Sequence, residues 1–263
     1  MEEAKPGLQP SQEDGEKGKA DKRLRSAFGC SLIAEGGILL ELPQICQANA
    51  QTMFHRFYMN QSFEVFPVED LAPAALFLAA KMEEKPRKAR HVLSVMECVE
   101  FRRRKEKYVE ESVKLPRSMK LRTSVLFRNE MLLLKELGFR LYSSMSRSPH
   151  RYLVFFVQTL QTSLEAQKLL AQKAWAYLND SFRIDLCVRY PSEVIAVACI
   201  FLAARDNQMP LPLSPSPWWN LFEVSDTDLE TVALEIVAMY KLKIPTWMPQ
   251  APMKSTQWVE IVK

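Results

Sequence analysis

From Leu71 to Ala80 the chain carries no polar side chain. The run is too short to cross a bilayer, which takes about 20 apolar residues. Its Ala and Leu content predicts helix rather than strand, and a helix that is apolar all round is buried all round. The pattern therefore predicts the central rod of a helical domain, over about residues 70–82. Proline is tolerated in the first turn of a helix, so Pro73 places the start just before it, with Asp70 as the expected N-cap. The rod ends abruptly in Lys81, Glu83, Glu84, Lys85 and Pro86, so it delivers charge to one end of the bundle.

Amphipathic segments flank the rod. Cys46, Ala50, Met53, Phe54, Phe57 and Tyr58 form one continuous stripe at helical spacing within residues 44–62. The apolar stretch Leu24–Leu42 is interrupted by Gly36 and Gly37, which predicts a short helix, a turn and an approach to Pro43. Pro86 opens a further helix carrying Ala89, Val92, Leu93 and Met96. A long helix is predicted over 118–137, with Gly138 at its end. On it Leu126, Glu130, Leu133 and Leu137 share a face, so a carboxylate sits inside an apolar stripe. Burying an unpaired charge is costly, and Glu130 therefore needs a partner. Residues 1–23 are polar and read as a flexible tail; the proline-rich residues 244–263 read as a second one.

The second half restates the first. Tyr177-Leu-Asn-Asp-Ser-Phe182 echoes Tyr58-Met-Asn-Gln-Ser-Phe63, and Phe201-Leu-Ala-Ala-Arg205 echoes Phe77-Leu-Ala-Ala-Lys81. Pro191 opens a second apolar rod, Val194 to Ala204. An amphipathic run from Leu164 to Phe182 precedes it. A turn containing Pro210, Pro212, Pro215 and Pro217 follows, then a last helix over about Asp226 to Leu242. The fold class is all-α, in two similar units of about five helices each.

Composition narrows the chemistry. A formal net charge of +4 is too mild to argue for nucleic acid as the main partner. The five cysteines are scattered without a CxxC pair and there are three histidines, so no zinc or other metal site is expected. No P-loop, GxSxG, HExxH or Gly-rich kinase loop is present, so no catalytic residue and no cofactor are assigned and the chain is not expected to be an enzyme. No segment is expected to span a membrane, and no signal pattern opens the chain. The basic run within Glu100–Glu111 reads chiefly as a solvated helix end and loop; a weak RNA contact through Arg102 to Lys107 is the less favoured alternative.

Several strings resemble the cyclins, and among them the transcription-type cyclins of the cyclin L group. They are Gly36-Gly-Ile-Leu-Leu-Glu-Leu-Pro-Gln44, Phe54-His-Arg-Phe-Tyr58, Leu78-Ala-Ala-Lys-Met-Glu-Glu84, Leu134-Lys-Glu-Leu-Gly-Phe139, Ile200-Phe-Leu-Ala-Ala-Arg205 and Pro210-Leu-Pro212. They fall in order over roughly residues 25–243. The resemblance implies two tandem cyclin boxes, at 24–141 with a short leading helix and at 142–243.

It implies a regulatory, activating subunit of a cyclin-dependent kinase of the transcription or splicing type, bound as a heterodimer and nuclear. In that family a Lys at the rod's end and a Glu on the fifth helix grip the kinase, and the matching positions are Lys81 and Glu130. Leu78, Glu84, Leu134, Phe139 and Leu141 fall where cyclins meet the kinase. The alternatives are a cyclin-fold general transcription factor and a scaffold that activates no kinase. Cell-cycle cyclins carry a Met-Arg-Ala-Ile-Leu substrate patch; the matching region here is Met53-Phe-His-Arg-Phe57, so that docking mode is not expected. Cyclin L proteins typically continue into an arginine/serine-rich tail, and this chain stops at Lys263 without one, so targeting through such a tail is not expected. Only the first box is expected to grip.

Overall fold

The computed structural model describes residues 12–104, 119–139, 141, 148–160 and 163–246, with side chains from residue 18 onward. Helices α1 (Gln12–Leu39), α2 (Gln44–Asn60), α3 (Val68–Met82), α4 (Ala89–Arg104) and α5 (Met119–Glu136) form the first unit. Helices α6 (Pro149–Thr159), α7 (Leu164–Ser181), α8 (Leu186–Arg189), α9 (Ser192–Asp206) and α10 (Asp226–Tyr240), with a 3-10 turn at Trp218–Phe222, form the second. The described residues contain no strand, and the all-α expectation holds.

Each unit wraps its own rod. Every residue of α3 from Leu71 to Ala80 is buried, against α1, α2, α4 and α5. In the second unit α9 is enclosed by α6, α7 and α10. Alanines recur along both rods, and these small side chains let neighbouring backbones come close on every side. The rod starts earlier than the pattern predicts. Pro67, not Asp70, is the N-cap, and its carbonyl accepts from the N–H groups of Asp70 and Leu71 at 3.2 Å. Glu69 and Asp70 lie in the first turn, where the helix dipole favours negative charge.

The two rods also end alike. Glu84 and Gln208 both take left-handed backbone, with φ of 54° and 52°. Lys85 N–H reaches back to the Ala80 carbonyl at 2.9 Å, and Met209 N–H to that of Ala204 at 2.8 Å. Each cap satisfies carbonyls that the helix end leaves open and turns the chain away sharply.

Three expectations are corrected. Helix α1 is continuous over 28 residues and takes in residues 12–23, expected in a tail. Gly36 and Gly37 lie inside α1 rather than in a turn. A Cβ on Gly36 would stand 2.5 Å from the Met96 sulfur, and one on Gly29 2.2 Å from the Phe54 ring. These glycines therefore mark close approach of α4 and α2 to α1, not a break. Helix α4 opens at Ala89, not at Pro86. Helix α6 has no counterpart among the expected elements, although Leu153, Phe156, Val157 and Leu160 bury a helical stripe there.

His55 joins the units. Its Nε2–H donates to the Phe182 carbonyl at 2.9 Å, and its Nδ1 accepts from Ser26 Oγ at 3.1 Å. Burial lowers the pKa of His55 from its ordinary 6.5, so the fold holds the neutral ring. The unfolded chain then binds more protons below pH 6.5, and this group's stabilising effect is lost as pH falls through that region. Glu69 works the other way: burial pushes its pKa to about 7, so its ionisation weakens the fold as pH rises.

Two outcomes are expected from unfolding in urea. Gly29→Ala lowers stability by roughly 1–3 kcal/mol through overpacking, whereas Gly18→Ala, with open space around its Cβ, is neutral or stabilising. His55→Gln lowers stability at neutral pH and makes its pH dependence between pH 5 and 7, roughly the His titration range, differ from wild type by a shallower acid-side fall.

Candidate docking site at the tip of the first rod

Helix α5 crosses α3 with Leu126, Asn129, Glu130 and Leu133 facing inward. Asn129 Nδ2 donates to the Asp70 carbonyl at 3.1 Å, and Lys81 Nζ meets Glu130 Oε1 at 2.7 Å. The carboxylate inside the apolar stripe thus has its partner in the charge at the rod's tip. Lys81 Nζ also stands 4.0 Å from the centre of the Phe77 ring, and the Phe127 ring centre lies 6.0 Å from that of Phe77. The pair is lopsided: the Glu130 side chain is 11% exposed and that of Lys81 43%. Water reaches the cation, and so would a partner.

The rest of the tip is fastened from below. Glu83 Oε1 accepts from Asn49 Nδ2 of α2 at 2.6 Å. Arg87 donates to the carbonyls of Leu40 at 3.0 Å and Glu41 at 3.2 Å, tying the end of α1 to the loop after the rod. Glu84 is exposed on its left-handed turn.

Apolar surface adjoins the pair. Phe127 and Met131 are exposed, and Leu134 is half-buried; all three lie at i, i+4 and i+7 along one edge of α5. At the helix end Gly138 and Phe139 are both left-handed, with φ of 58° and 57°. Phe139 N–H closes the cap on the Leu134 carbonyl at 3.0 Å, and its ring is left 64% exposed. Left-handed backbone is uncommon for a residue with a bulky side chain and costs about 1–2 kcal/mol, so the chain holds a large apolar ring in water at some expense. Leu141 is half-buried against the first core. Leu78 is a correction: it is 4% exposed, within the first core, and supports the tip from inside rather than presenting a surface. Phe127 and Met131 did not emerge from the sequence. Their signal was an excess of apolar residues on α5 beyond what one buried stripe uses.

Other sequence features fall elsewhere. Met53, Phe54, His55 and Phe57 are buried in or beside the first core. Arg102 and Arg103 both pair with Glu35, and Arg104 lies 3.8 Å from Glu100, so these arginines of the basic run face carboxylates within the fold. Residues 105–107 lie outside the described residues. No described group of His, Cys, Asp and Glu is arranged to hold a metal ion, and no described helix is long and apolar enough to cross a membrane.

The second rod repeats half of the tip. Arg205 lies over Phe201 at 4.9 Å, as Lys81 does over Phe77. The inward stripe of α10 reads Leu229, Val232, Ala233 and Ile236, so alanine stands where α5 has Glu130. Among the described residues Arg205 makes no ion pair. Among the described residues a rod-end cation paired with a carboxylate of the unit's last helix occurs once; the second rod instead ends in Asp206, paired with Lys173 of α7 at 2.6 Å.

Residues 30–142 match the cyclin N-terminal domain. Cyclin-L1-1 of Oryza sativa subsp. japonica is 39% identical over 233 residues, covering 89% of this chain and 52% of the relative. Cyclin-L1 of Homo sapiens is 37% identical over 238 residues, covering 90% and 44%. The first unit of this chain carries a cyclin N-terminal domain. The chain spans about half the length of the cyclins it matches. Its fold is that of a chain in the crystal structure of the yeast RNA Pol II CTD kinase CTDK-1 complex, with a TM-score of 0.68 at 16% identity, over 91% of this chain and 72% of that one. The rod at the centre of the first unit, with its Lys81 tip, lies inside the matched domain.

The asymmetry of the pair sets an expected result. Lys81→Met keeps the stem but strands a mostly buried carboxylate, and costs roughly 1–3 kcal/mol of stability. Glu130→Gln leaves an acceptor for a lysine that water already reaches, and costs less than about 1 kcal/mol. Chemical denaturation of the two variants beside wild type measures the difference; equal losses would contradict the assigned burial.

Proposed function

We propose that this chain is the activating regulatory subunit of a cyclin-dependent kinase acting in RNA polymerase II transcription or pre-mRNA splicing, in the nucleus, and itself without catalytic activity. The observation that carries the reading is the half-exposed Lys81–Glu130 pair bordered by exposed Phe127, Met131 and Phe139. A charged centre with an apolar border suits a protein interface, where a few anchors supply most of the affinity. The cyclin N-terminal domain and similarity to Cyclin-L1 proteins support a kinase as the partner. The division into boxes at 24–141 and 142–243 belongs to the same reading.

In this reading Lys81 and Glu130 hold each other and keep hydrogen-bonding capacity for the partner's backbone. Glu84, Leu134, Phe139 and Leu141 adjoin them, and Leu78 backs them from the core. The kinase small lobe carries a helix whose glutamate must pair with a lysine before the active site is assembled. The cyclin tip binds the conformation in which that helix is turned inward. Activation then follows from differential affinity for the active state, with no chemistry on the cyclin itself.

Affinity capture from nuclear extract tests this, with wild type beside the Lys81→Ala/Glu130→Ala double variant and an Arg205→Ala control. Wild type and Arg205→Ala capture a cyclin-dependent kinase equally. The double variant captures at least about tenfold less, as expected for an interfacial charge pair, while its circular dichroism stays helical. No kinase with wild type, or equal recovery with the double variant, contradicts the reading.

A further inference from the structure

The chain contains three Ser-Pro dipeptides, at Ser148-Pro149, Ser214-Pro215 and Ser216-Pro217. A protein kinase that selects proline after the acceptor must seat several residues on each side of the serine in extended form. The fold treats the three dipeptides very differently.

Ser148 is closed off. It is 6% exposed, is the N-cap of α6, and its Oγ is hydrogen-bonded to His150 Nδ1 at 3.1 Å. Ser214 and Ser216 lie in the irregular segment between the end of α9 and the 3-10 turn. Residues 212–216 are all exposed, and neither serine makes a side-chain hydrogen bond among the described residues. The segment is pinned at both ends. Met209 N–H caps α9, and Trp218 N–H donates to the Pro212 carbonyl at 3.1 Å.

The hydrogen bond from Trp218 N–H to the Pro212 carbonyl encloses both exposed serines, and the Trp218 side chain separates them. Trp218 is 3% exposed and belongs to the second core, packed edge-on to Phe222. It is the second residue after Ser216, so seating Ser216 in a kinase groove pulls Trp218 from the core. Around Ser214 the neighbours Pro212, Leu213, Pro215 and Ser216 all face water. Segments with few buried contacts open at little free energy, whereas core anchors open only with their unit.

We propose that Ser214 is a phospho-acceptor for a proline-directed Ser/Thr kinase. Ser214 Oγ attacks the γ-phosphorus of kinase-bound ATP, the bond from that phosphorus to ADP breaks, and the hydroxyl proton passes to the kinase's catalytic base. The product carries a phosphate of nearly two negative charges in the segment that follows the second rod. The assignment stands on exposure and anchoring, independently of the function proposed above.

The test uses the full-length folded chain, ATP and a purified mitogen-activated protein kinase, a proline-directed enzyme outside the cyclin-dependent class. Initial rates at each serine are read by phosphopeptide mass spectrometry, with Ser214→Ala and Ser216→Ala variants and a synthetic peptide of residues 209–220. In the folded chain Ser214 is labelled at least about tenfold faster than Ser216, and Ser148 is not labelled, because the latter two need local unfolding. Ser214→Ala removes most of the incorporation and Ser216→Ala little. In the free peptide the two serines come closer together in rate. Labelling of Ser216 or Ser148 as fast as Ser214, or no labelling of Ser214 in the folded chain, overturns the proposal.

Discussion

A helix with no polar side chain over ten consecutive positions, Leu71 to Ala80, has one stable place, and that is the middle of other helices. This constraint organises the first unit. Four helices cover α3, and glycine at positions 29 and 36 lets the neighbours of α1 come within reach where any side chain would collide. The rod then has nowhere to put charge except its tip. Lys81 emerges there, and α5 brings Glu130 to it at 2.7 Å while the Asn129 hydrogen bond to Asp70 fixes the crossing. The proposed docking surface is a consequence of burying the rod rather than an addition to it.

Repetition shows what the tip can lose. The second rod is likewise buried from Val194 to Ile200, though Phe201 and Leu202 are half-buried, and it has the same left-handed cap and an arginine over a phenylalanine. It lacks the inward carboxylate of the last helix, because Ala233 occupies that position on α10, and its own terminal Asp206 pairs with Lys173 of α7 instead. The fold therefore does not require the ion pair. A half-exposed lysine contributes little to stability through a surface pair, and the exposed Phe139 ring on left-handed backbone contributes less than nothing. Features that the fold tolerates but does not need are where an interface is to be sought.

The rod, its copy and the anomaly of Glu130 were legible in the sequence because each is a local statement about polarity and period. Glu130 was legible as a carboxylate that needs a partner, and the cyclin resemblance set Lys81 beside it. The continuity of α1 was not legible. Glycine reads as a helix breaker by itself, and only the Met96 and Phe54 side chains, distant in sequence, show that Gly36 and Gly29 are packing residues. The exposure of Phe127 and Met131, and the burial of Leu78, depend on which helices cover α5 and α3, which no single stripe contains. Helix α6 is short and its stripe brief, so its pattern carried less weight than its neighbours'.

The central claim is that a kinase docks on the tip of the first rod and not on the matching end of the second. Hydrogen–deuterium exchange of the chain alone and in complex with its captured kinase measures this directly. The account expects slowed exchange in the last turn of α3, along α5 and through residues 137–141, with α9 and α10 unchanged. Protection confined to α9, α10 or the segment between them would contradict it.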